Sequence, residues 1–239
     1  MVLLVCGYGV AASYADTVST MAPKRAKTAH APPFTIWDVQ LGGLIADIPE
    51  RDLAEVACGT NGGPPSRPLE FIAEFKKCVP EADGLREVYF SYDDEFEYRA
   101  RALELPTEVA LYGGTSVAGH PVVVSVLVDD GGRLRGRRII SDSRADVRNR
   151  RRAASLAPTL KSRFGKGWSC TDTPPQDGEE PLAGVFINQT CTKTDASQGR
   201  LALVSRYMRK KGQRARDPVT GKQIKGAYES YTRFEQRRP

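Results

Sequence analysis

The chain has 239 residues, of which 40% are hydrophobic and 27% charged, with a formal net charge of +6. Such a composition is that of a globular protein with enough chain for one large domain or two small ones. No run approaches 18 consecutive apolar residues, which excludes a membrane-spanning helix in the mature chain.

The N-terminal "MVLLVCGYGVAASYAD" carries no charge before Asp16. Its apolar run ends in "SYA", with the small residues Ser13 and Ala15 placed as in a cleavage site, so residues 1–15 read as a signal peptide and Asp16 as the mature start. A positively charged leading region is missing. The competing reading is a cytosolic basic protein that starts at Met21, in "MAPKRAKTAHAPP". Residues 16–33, with Pro23, Pro32 and Pro33, read as a flexible linker.

Removal of residues 1–15 takes Cys6 with it and leaves Cys58, Cys78, Cys170 and Cys191, an even set. The spacing points to two local bridges, Cys58–Cys78 and Cys170–Cys191, each around a segment rich in Pro and Gly. A loop of that size closed by a disulfide gains about 3 kcal/mol in the chain-entropy model. Close C-x2-C pairs are absent, and the two histidines are His30 and His120, so neither zinc nor thiol redox chemistry is well supplied. "CGTNGGPPS" (58–66) lacks the Lys and spacing of a phosphate-binding loop and reads as a disulfide-tethered turn.

In the first part, 34–142, "FTIWDVQLG" reads as a short strand and "PERDLAEVA" as a short helix that leads into Cys58. "PLEFIAEFKKC" places Leu69, Ile72 and Phe75 on one helical face. "EVYFSY" alternates Val88, Phe90 and Tyr92 on one side of a half-buried strand. "EFEYRARAL" is ambiguous between helix and strand. "HPVVVSVLVDDGGRLRGRRIIS" reads as two strands joined at Asp130-Gly131-Gly132, the first apolar throughout and so buried on both faces. The second part, 143–239, opens on an Arg-rich helix capped by Asp142 or Ser143, split near Pro158 and ended by Gly165. Strands follow at "GVFINQT", "RLALVSRYM" and "YESYTRFE". Short strands mixed with helices, without regular βαβ alternation, predict an α+β fold with a mixed or antiparallel sheet, two disulfide-closed loops and a division into two small lobes near 142–168.

Charge is segregated. Glu81 to Glu108 holds nine acidic and three basic residues, and Arg133 to Lys166 holds twelve basic and two acidic. Arg144, Arg148, Arg151 and Arg152 share a helical face, where like charges repel unless something offsets them. Two partners suit them: the acidic cluster Asp93, Asp94, Glu95 and Glu97, or an external polyanion such as acidic polysaccharide or lipid headgroups, with nucleic acid disfavoured in an exported protein. Trp37 and Trp168 read as packing residues. No cofactor or metal motif appears, and no catalytic residue is assigned. The functional expectation is an exported, periplasmic or secreted, disulfide-stabilised binding or structural component of the cell envelope; the alternative is a hydrolase that works through the cluster at 93–97.

Overall fold

The protein, seen in a computed structural model, is described at residues 34–92, 103–105, 115–210, 215–216, 223–224 and 228–238. Its strands are β1 (Glu55–Cys58), β2 (Arg86–Ser91), β3 (Ser116–Val117), β4 (His120–Val128), β5 (Leu134–Ser141), β6 (Ser169–Asp172), β7 (Glu179–Glu180), β8 (Ile187–Asp195), β9 (Gly199–Lys210), β10 (Ala215–Arg216), β11 (Gln223–Ile224) and β12 (Glu229–Arg237). Ten of them form one antiparallel sheet in the order β1-β2-β4-β5-β12-β9-β8-β6, with β3 on β4 and β7 on β9. The helices are α1 (Val147–Arg152) and α2 (Leu156–Arg163), joined by a 3-10 turn.

The expected α+β fold is therefore overturned: the described residues are mostly antiparallel sheet. The division into two lobes falls with it, because β5 pairs with β12 and makes one sheet of strands from both halves. "FTIWDVQLG" is an irregular turn rather than a strand, "PERDLAEVA" is a 3-10 turn (Glu50–Asp52) followed by β1, and the second expected helix, in "PLEFIAEFKKC", is the 3-10 segment Ile72–Lys77. These segments have apolar residues at useful spacing but are too short to nucleate an α-helix unaided. They take whatever backbone path lays Ile36, Ile45, Leu69, Ile72 and Phe75 onto the sheet, and all five are buried.

Where alternation is strong, the sequence reading holds. β4 and β5 form the expected hairpin, with Gly132 at φ 80° in the turn and the Gly132 N–H donating to the Asp129 carbonyl. β8, β9 and β12 occupy the three expected C-terminal strand regions. The Arg-rich helix is split just ahead of Pro158, which sits in the first turn of α2, where its missing N–H costs nothing. The cap is Asp146, not Asp142 or Ser143: its carboxylate accepts from the backbone of Arg148 and Asn149. Asp142 instead binds Arg144.

The sheet is covered on both faces of β2, β4 and β5. On one face Val88, Phe90, Val124, Ile139, Leu203 and Phe234 pack under Leu156, Leu160 and Phe164, and the Phe164 and Phe234 rings stack with centroids 4.8 Å apart. Burying such a side chain contributes roughly 1.5–3 kcal/mol. The other face carries charge. Arg138, its side chain 3% exposed, binds Glu87 at 3.2 Å, Glu235 at 2.7 Å and Glu81. β2 is thus buried on both sides rather than half-buried, with Glu87 4% exposed.

Two loops close over that charged face, and both leave the Cys58–Cys78 bridge. Residues 79–85 bring Glu81 to Arg138 and Asp83 to Arg237. Residues 59–66, the glycine-rich stretch, donate the Asn61 N–H to Glu87 and accept from Arg233 on the Asn61 backbone and side-chain oxygens. The second bridge joins Cys170 to Cys191, directly paired residues of β6 and β8, and so fastens the edge strand of the sheet. Two such bridges fit an oxidising compartment.

Candidate anion-binding cleft

The arginines foreseen as a patch fall into two settings. Arg144 precedes α1 and is ion-paired with Asp142 at 2.9 Å. Arg148, Arg151 and Arg152 are exposed on α1, and none is ion-paired among the described residues. The acidic cluster Asp93, Asp94, Glu95 and Glu97 lies outside the described residues. Cys58, Cys78, Cys170 and Cys191 are bonded in the two local bridges above. His120 is buried beside Ser155, whose Oγ is 3.5 Å from its Nε2. That hydroxyl donates to the Arg152 carbonyl at 2.6 Å, so it offers His120 a lone pair and no proton to abstract.

A different basic site is built at the far end of α2. The turn at Thr35–Asp38 is held by the Asp38 carboxylate, which accepts from the Thr35 N–H and hydroxyl, both at 2.8 Å. Ile36 plugs into the core, and the next residue, Trp37, stands at the surface edge with its ring 6.1 Å from Phe164. Around this indole lies a cleft of about 420 Å³, also lined by Arg137, Arg163, Ser197, Gln198, Gln236 and Arg238. The Arg163 guanidinium lies over the ring at 3.9 Å from its centroid and that of Arg137 at 5.7 Å, both within cation–π range.

Each arginine arrives from a different element. Arg137 comes from β5 and donates Nη1 to the Ile36 carbonyl at 2.8 Å. Arg163 ends α2, where a cation suits the helix dipole. Arg238 follows β12 and donates to the Leu41 and Ser197 carbonyls. None of the three is ion-paired among the described residues, in contrast to Arg86, Arg138, Arg206, Arg233 and Arg237. Asp38 is close enough to favour the charge on Arg137, and its Oδ2 accepts both Thr35 hydrogen bonds. Burial and the neighbouring charges of Arg163 and Arg238 push Arg137 down to about 10. It remains cationic at neutral pH, so three like charges line one cleft.

No family model, curated protein or solved structure matches this chain. The chemistry of the cleft therefore rests on its own side chains. Guanidinium groups offer planar pairs of donors suited to carboxylate, sulfate or phosphate oxygens. Sequence reading placed Trp37 among packing residues and left Arg137, Arg163 and Arg238 inside long basic runs. The cleft has no local signature, since its lining comes from five separated stretches of chain.

Proposed function

We propose that the protein is an exported, disulfide-stabilised binding component of the cell envelope, periplasmic or secreted, whose anionic ligand docks in the Trp37 cleft. One observation carries the reading: Arg137, Arg163 and Arg238 line one cleft, two of them over the Trp37 ring, with no carboxylate ion-paired to any of the three among the described residues. Unpaired like charges raise the energy of the free protein, and an anion relieves that repulsion while it gains charge-assisted hydrogen bonds. The export half is supported by "SYA" ahead of Asp16 and by the two bridges. Mature N-terminal sequencing tests it, with a start at Asp16 as the expected result.

The binding half is tested by titrating the full chain with sulfate at low ionic strength and following tryptophan fluorescence. A saturable change is expected. Arg163 and Arg238 are both exposed, so Arg163→Gln with Arg238→Gln should leave the melting temperature within a few degrees while weakening sulfate at least about tenfold. A linear, non-saturating response, or equal affinity in the double variant, would defeat the reading.

A further inference from the structure

We infer that the ligand is a hydroxy acid of the sugar-acid class, its anionic group held by Arg163 and Arg238 and one of its hydroxyls held between Arg137 and Gln236. The inference rests on the anion-binding reading above. Arg137 and Gln236 stand directly opposite each other on β5 and β12, on the face that the cleft opens to. Residues so paired have Cα atoms about 4.5–5.5 Å apart. Each side chain keeps one buried polar atom without a partner: Nε of Arg137, a donor, and Oε1 of Gln236, an acceptor.

The orientation of the Gln236 amide is fixed by its surroundings. Its Nε2 donates to the Gln198 carbonyl at 2.7 Å, and turning the amide over would set oxygen against oxygen. Gln236 is 4% exposed, so an unmet acceptor there carries a full desolvation penalty. Buried polar atoms are normally satisfied, and this pair calls for one group that accepts on one side and donates on the other. A hydroxyl does both. A bare sulfate only accepts and leaves Gln236 unmet. An ammonium only donates and is repelled by three guanidinium groups. The combination of hydroxyl and anion is that of an acidic sugar, and a cleft of about 420 Å³ lies within the size range of sites that hold one small ligand.

The test compares D-glucuronate with cyclohexanecarboxylate, a six-membered ring acid without hydroxyls, and with sulfate, on the full chain by calorimetry. Glucuronate should bind about tenfold more tightly than cyclohexanecarboxylate, the worth of one hydrogen bond to a buried acceptor. Gln236→Leu should bring that ratio to about one, and Arg163→Gln should weaken both carboxylates together. If the two carboxylates bind the wild-type chain equally, the hydroxy-acid inference falls and the anion site stands. If neither they nor sulfate bind, the anion site itself falls. The wild-type ratio decides the matter even where Gln236→Leu fails to fold. Trigalacturonate distinguishes the source: tighter binding than the monomer supports the end of an acidic polysaccharide, and equal binding supports a free sugar acid.

Discussion

Gly62 is held to its identity twice over. Its φ of 96° is a conformation that side chains rarely adopt, and a Cβ placed there would lie 2.6 Å from Cδ1 of Ile140. The residue lets the 59–66 loop lie flat on the charged face, so that Asn61 reaches both Glu87 and Arg233. Gly62→Ala should cost about 1–3 kcal/mol, seen as a fall of several degrees in the thermal midpoint. An unchanged midpoint would show that the loop does not cover the sheet as described. At this scale the sequence was partly legible. "Asn-Gly-Gly" is recognisably a turn, because those residue types tolerate the backbone angles required. What the turn covers was not legible, because Ile140 and Arg233 are far away in the chain and only the sheet brings them together.

Among the elements, strands were legible wherever burial is one-sided or complete over several residues, as in β4, β9 and β12. The 34–58 and 69–78 segments were not. Their apolar residues serve a surface that already exists, so their backbone follows the sheet rather than a period of its own. The Trp37 turn belongs to this class, and the cleft was hidden for that reason. α1 was anticipated as a helix, but its cap was not. Arg148, Arg151 and Arg152 are exposed and unpaired among the described residues. Replacing all three with Gln should therefore leave the thermal midpoint within about two degrees, or raise it slightly by removing like-charge repulsion. A drop of many degrees would reveal an acidic partner within the chain, whereas loss of heparin retention at constant stability would assign the three to an external polyanion.

At the scale of the whole molecule, stability should fall with acid in two stages. Burial, then the charge of Arg152, holds His120 below its ordinary value. The unfolded chain thus takes up a proton at this residue first, and the contribution is present above about pH 6.5 and lost as pH falls through the lower native value. A second stage starts near pH 4.5. Burial works to raise the carboxyl of Glu235, but hydrogen bonds and charge from Arg138 and Arg237 outweigh it and keep it low, while the Arg237 hydrogen bond lowers Asp83. Thermal midpoints measured from pH 8 to 3 should show both stages, and His120→Asn should remove the upper one alone; a flat profile to pH 3 would contradict the charged-face network. The place of β12 has a further consequence, for the order of events in folding. It is later in the chain than every other strand of the sheet, yet it sits in the middle, between β5 and β9. Until it arrives, two partial sheets face each other with bare edges, and Ile139 and Leu203 lack the ring of Phe234 that lies between them. Closure is a long-range event that waits for residues 229–237, so a chain threaded N-terminus first keeps a slack, unfinished middle until these residues have passed through.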